Sequence, residues 1–222
     1  MEQFDPAGLV SLPRSGSRGQ AVFDALRYAL REGHLRSGMY LREEQIAESF
    51  SVSRTPVREA FSRLLGQSIL EHAGGRGLIV RTLRDAEIFE LYAMREVLEG
   101  AAASFAATHA GPAEIATLEA QHARFVAQSV GAVDETVRWN QAFHATIRQA
   151  ARNQYLDYAF DDLADGIALL GETTLGEPSR HSSAIEEHAA ILTGIRSGDA
   201  GTAERAARAH IRAAFQARAT AI

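Results

Sequence analysis

The segment Ser51-Val52-Ser53-Arg54-Thr55-Pro56-Val57-Arg58-Glu59-Ala60 carries two arginines four residues apart. On a helix that spacing puts both guanidinium groups on one side. An arginine at a helix start can fork to guanine O6 and N7 or clamp a phosphate. Thr55 offers a side-chain N-cap and Pro56 suits the first helical position, so a helix is expected to begin here. Phe61, Leu64 and Leu65 continue it as an apolar stripe. Glu43 to Phe50, with Ile46, Ala47 and Phe50 apolar, reads as a preceding helix. Together they make a helix-turn-helix, with Arg54, Thr55 and Arg58 where a recognition helix meets base edges and phosphates.

Further along, Gly74-Gly75-Arg76-Gly77 separates Ile69-Leu70-Glu71-His72 from Leu78-Ile79-Val80. Two short apolar runs around a glycine-rich tip predict a β-hairpin. Arg76 could enter a minor groove or grip the backbone, and glycines such as Gly75 allow close approach to phosphate. The DNA-facing set is therefore Arg54, Thr55, Pro56, Arg58, Gly75 and Arg76. A plainer reading leaves Arg54 and Arg58 as solvated charges pairing with Glu59 or Glu44.

These residues need a frame. A first helix is expected over 19–32, with Val22, Phe23, Leu26, Ala29 and Leu30 on one face. Three helices followed by a hairpin make a winged helix-turn-helix over 17–82, after a flexible arm over 1–16. From Asp85 onward the pattern is helical, over about 85–110, 112–130, 134–151, 154–170, 179–197 and 200–221, with breaks at glycine, proline and asparagine. Asp199 is placed to cap the last helix. The fold class is mainly α, with a winged head and an all-helical domain of about six helices over 83–222.

Composition agrees with two parts. The chain has 222 residues, a 46% hydrophobic content and a net charge of −5. Residues 14–82 hold 11 arginines against 7 acidic residues, and 83–222 hold 12 against 19, so a basic front precedes an acidic rear. Lysine and cysteine are absent, which rules out disulfides and thiolate metal sites. No long apolar run predicts a transmembrane helix, and the N-terminus lacks the order of a secretion signal, so a cytoplasmic location is the simple expectation.

The front resembles the winged helix-turn-helix of GntR-family bacterial regulators at Leu41, Glu43, Ile46, Ala47, Val52 to Ala60, Leu64 and Arg76-Gly77. Two departures stand out: Ser51 where glycine is usual, and Gln67-Ser68 in place of Glu-Gly. The rear resembles the FadR-type ligand-binding domain at Arg95-Glu96-Val97-Leu98-Glu99, Asn140-Gln141-Ala142-Phe143-His144, Asn153, Glu187-His188, Gly198-Asp199 and Ala209-His210-Ile211. By that resemblance Asn140, His144, His188 and His210 would hold a divalent metal, zinc first and nickel or another late transition metal as options.

Asn140 and His144 share a helix face, and imidazole suits such metals. Asn140 stands where aspartate is frequent, so the site loses a negative charge. Hydrogen-bonded core histidines are the competing reading. His181 is a weaker candidate, while His34, His72, His109 and His122 look like ordinary surface or linker residues. Arg95 could meet an anionic effector or pair with Glu99, and Arg148 is a further effector candidate.

The function expected is a non-enzymatic regulator, with repression as the expected sense. It would bind near-palindromic double-stranded operator DNA as a homodimer and respond to a small organic acid at the metal site. One alternative is a DNA-binding regulator whose rear domain only dimerises. A three-histidine metallohydrolase is another, with Glu187 beside His188 but pointing about 100° away and no HExxH motif.

Overall fold

The computed structural model describes residues 12, 16–74, 77–128, 132–171 and 173–220. Most of the expected arm lies outside them. Among the described residues there are nine α-helices and three short strands. None of these helices is long and apolar enough to cross a membrane. Two compact units form: residues 1–85 with 163–171, and residues 86–162 with 172–222.

The first unit contains α1 (Arg18–Arg31), β1 (Tyr40–Leu41), α2 (Glu43–Ser49), α3 (Arg54–Gly66), β2 (Leu70–His72) and β3 (Leu78–Val80). The expected apolar faces meet in one core: Val22, Phe23, Leu26 and Leu30 from α1, Ile46 from α2, and Val57, Phe61 and Leu64 from α3. Fully burying each such side chain is worth ~1.5–3 kcal/mol. The two expected hairpin strands pair antiparallel, with Leu70 opposite Val80. A third strand, β1, adds to the other side of β3, with Tyr40 opposite Ile79. Asp165 belongs to this unit too and accepts from Arg27 Nε and Arg31 Nε, each at 2.8 Å.

The helix ends explain the two departures from the family pattern. After α2, Ser51 N–H bonds to Glu48 O and Val52 N–H to Ala47 O. After α3, Ser68 N–H bonds to Leu65 O and Ile69 N–H to Leu64 O. Both are Schellman closures, which need a left-handed residue just past the helix. Ser51 has φ 53° and Ser68 has φ 55°. These are the positions where glycine adopts that conformation without steric cost.

The second unit contains α4 (Asp85–His109), whose first residue falls in the other unit, then α5 (Pro112–Val126), α6 (Val133–Ala151), most of α7 (Gln154–Leu169), α8 (Pro178–Arg196) and α9 (Ala200–Ala219). Small residues bring these helices close. A Cβ on Gly194 would sit 2.6 Å from the Ala203 amide nitrogen. Asp199 caps α9, accepting from Thr202 N–H at 2.9 Å. The core is built on Ala102, Ala106, Leu118, Phe143, Ile147 and Ile191.

Candidate functional site

In the first unit, α3 starts two residues earlier than the sequence reading expected. Ser53 is the N-cap residue, without a side-chain cap bond, and Thr55 and Pro56 are the second and third helical residues. Pro56 still causes no loss there, because the first four N–H groups of a helix lack intrahelical partners. Arg54 Nη1 lies 2.9 Å from Glu44 Oε1, and Arg58 Nε donates to Glu43 Oε2 at 2.7 Å. Both carboxylates come from the first turn of α2. Glu59 turns instead toward α1, where a Cβ on Gly19 would collide with its carboxylate. The starts of α1 and α3 flank a cleft of about 420 Å³ lined by Ser17, Arg18, Ser53, Thr55, Pro56 and Glu59 among others. Gly75 and Arg76 lie outside the described residues.

In the second unit, His144 of α6, His188 of α8 and His210 of α9 converge, all buried. One nitrogen from each lies within 4.8 Å of the others. His144 Nε2 and His210 Nε2 are 3.2 Å apart. Their outer nitrogens face carboxylates: His144 Nδ1 meets Glu99 Oε2 at 3.1 Å, and His210 Nδ1 meets Glu187 Oε2 at 2.6 Å. Burial alone would raise the Glu99 carboxyl, but His144 beside it, with Arg95 and Arg148 nearby, brings it down to about 2. Burial also opposes ionisation of Glu187, yet hydrogen bonds from His210 and Arg180 carry it below its ordinary value.

An ionised carboxylate only accepts, so each Nδ1 carries the ring proton. The two Nε2 atoms then face each other. Arg180 grips Glu187 with Nη1 at 3.0 Å and Nη2 at 2.7 Å. Its Nη2 is also 3.4 Å from His210 Nδ1, but the shorter carboxylate contact places the proton on that nitrogen.

Burial drives His188 well below the usual imidazole range, reinforced by His210, His144, His122 and Arg180. Burial likewise holds His210 down at about 4 against the pull of Glu187. Both rings are therefore neutral at neutral pH. Among the described residues neither nitrogen of His188 has a partner, and the buried Oδ1 of Asn140 has none either. Three converging imidazoles, one of them unpartnered, and an orphaned amide oxygen suit a cation better than a self-contained hydrogen-bond network. The outer carboxylates would orient two of the rings and raise their basicity.

Residues 18–80 match the model of the bacterial regulatory proteins of the gntR family, and residues 90–213 match the FCD domain. The chain belongs to the GntR family, with an FCD domain behind its DNA-binding head. It is 29% identical over 208 residues to a probable D-xylose utilization operon transcriptional repressor of Paenarthrobacter nicotinovorans, covering 89% of this chain and 87% of that one. It is 25% identical over 217 residues to the Glc operon transcriptional activator of Escherichia coli K12, covering 87% and 85%. Among solved structures, E. coli McbR/YncC shares the fold with a TM-score of 0.76 at 22% identity, over 93% of this chain and 99% of that one. GntR-family regulators bind operator DNA, and nothing in these matches is an enzyme.

Within this GntR-family chain, the structure brings together three of the four expected metal residues by their nitrogens and leaves the oxygen of the fourth, Asn140, without a partner. His181 is buried but turns to the Phe125 carbonyl, 3.3 Å from its Nε2. Arg95 forms no ion pair with Glu99 among the described contacts. Its guanidinium lies over the Tyr92 ring at 5.0 Å, and its buried Nε has no partner. Arg148 lies over Phe160 at 4.9 Å.

Sequence reasoning missed the outer layer formed by Glu99, Glu187 and Arg180. It also misjudged His122, which is no ordinary surface residue. Its ring lies 6.3 Å from that of His188, and its Nδ1 is buried without a partner. The one available signal for Glu99 was an acidic residue set in a run of leucine, glycine and alanine. Glu187 is no free base, because His210 and Arg180 occupy both its oxygens.

Proposed function

We propose that this regulator binds a near-palindromic operator as a homodimer, with a divalent metal and a small carboxylate effector in its helical unit. The cytoplasm is the compartment this reading assigns. The observation that carries the metal reading is the pair of Nε2 atoms 3.2 Å apart beside the unpartnered His188. His144, His188 and His210 would supply imidazole nitrogens, and Asn140 an amide oxygen. Zinc suits this set first, with nickel or another late metal next. Neutral protein ligands leave the full metal charge for an anion, which favours a carboxylate at the open positions. Arg95 and Arg148 are the nearby cations we assign to the effector.

On the head, Arg54, Thr55, Pro56 and Arg58 are the groups we assign to the major groove, and Gly75 and Arg76 to the wing contact. Dimerisation draws support from α4. From Ala93 to Thr108 every exposed position is uncharged: Ala93, Met94, Val97, Phe105 and Thr108. An uncharged exposed helix face of that length fits a second copy of the chain better than water.

Elemental analysis of the purified protein, before and after dialysis against a chelator, tests the metal. One equivalent per chain is expected, and a metal-free, fully folded protein with no affinity for added zinc would sink it. A thermal-shift panel of organic acids on the loaded protein tests the effector. Gel shifts at rising salt test operator selectivity, and equal affinity for random and promoter DNA would defeat the regulatory reading.

A further inference from the structure

The three histidines differ on their outer sides. His144 Nδ1 has Glu99 and His210 Nδ1 has Glu187. His188 is fully enclosed, yet neither of its nitrogens is partnered. If one nitrogen serves the cluster, the other carries an N–H that needs an acceptor, because a buried donor left without one is costly. Five rings surround His188: Phe143 at 4.6 Å, Phe125 and His210 at 4.8 Å, His144 at 5.3 Å and His122 at 6.3 Å. The phenylalanines offer no acceptor. The nitrogens of His144 and His210 are taken up by the cluster and by the two glutamates. Among these rings His122 remains, and its buried Nδ1 is itself without a partner among the described residues.

We propose that His122 is the outer partner of His188, accepting on Nδ1 the hydrogen bond that fixes the ring of His188 for metal. The inference rests on reading His144, His188 and His210 as metal ligands. His122 is a positioning residue and touches no metal. The ring centres lie 6.3 Å apart, edge to face, so a turn of one ring closes the contact. His122 is only partly buried, so its ring can also swing, whereas His188 cannot. The metal site would then have three outer partners, two carboxylates and one neutral imidazole. That third partner adds no negative charge, in keeping with neutral Asn140.

The test loads the full-length metal-free protein with zinc in competition with a chelating dye, and separately with cobalt to record its ligand-field bands. H122F keeps a ring of similar size and removes the acceptor, while H122Q keeps an acceptor. H122F is expected to lose about 10- to 100-fold in zinc affinity and to shift the cobalt bands. H122Q is expected to recover most of that affinity. Unfolding of the metal-free variants should match the parent. Parental affinity and spectrum in H122F would overturn the assignment while leaving the metal reading intact. Equal losses in H122F and H122Q would also overturn it, since packing alone would then explain them. Failure of the parent itself to bind zinc or cobalt would sink the metal reading, and the assignment with it.

Discussion

Arg54 and Arg58 in the head rest on carboxylates of α2, with more than half of each arginine side chain exposed. Arg180 in the helical unit is 6% exposed and holds both oxygens of Glu187, which in turn holds His210. The residue types are the same, but the dielectric around them is not. An exposed pair is worth at most about 1 kcal/mol, so it breaks cheaply when a better partner arrives. A buried pair broken on one side leaves a charge that water cannot reach, and that costs about 3–5 kcal/mol. The head therefore keeps these arginines exchangeable, as the DNA contacts proposed for them require. The helical unit keeps its groups rigid, as a site that must hold converging nitrogens requires.

The sharpest way to break this contrast is Arg180→Met. It should destabilise the protein by about 3 kcal/mol, read by urea unfolding of the helical unit, and should loosen His210 and with it zinc affinity. A loss below about 1 kcal/mol would place this pair with the exposed ones. Arg58→Ala comes next. It should cost about 1–3 kcal/mol in operator affinity and relax preference at one base pair, with unfolding unchanged. Fluorescence anisotropy on operator and scrambled duplexes reads both effects.

Ser51→Gly and Ser68→Gly test the head's backbone rather than its charges. Each relieves a left-handed serine and should stabilise the head by about 1 kcal/mol, seen as a higher melting temperature. The smallest effect is expected for Glu43→Gln. Freeing Arg58 from its carboxylate should raise affinity for any duplex roughly threefold, within the range of exposed pairs. A tenfold or larger change would show that the exposed pair is held more firmly than its accessibility implies.

Much of this could be read in advance. The helical periods of α1 to α9 followed from apolar spacing with ends off by a few residues, because a helix face repeats every few positions along the chain. The hairpin strands followed from short apolar runs flanking glycines. The two-residue strand β1 did not, since Tyr40-Leu41 is too short to carry a period. The start of α3 slipped because Ser53 and Thr55 are both competent caps, and only backbone geometry chose Ser53.

Residue chemistry along the chain was enough to specify a basic winged head, a helical rear and four residues able to meet a metal. Those properties are local: arginine spacing, cap residues and imidazole chemistry do not depend on distant packing. Tertiary structure alone chose the company each group keeps. Glu99 meets His144 across 45 positions, Glu187 turns to α9 rather than to its neighbour His188, and His122 comes beside His188 from another helix. Such pairings depend on helix rotation and crossing, and a rotation of one residue, about 100°, redirects every side chain. That is why the candidate ligands were legible and their outer partners were not.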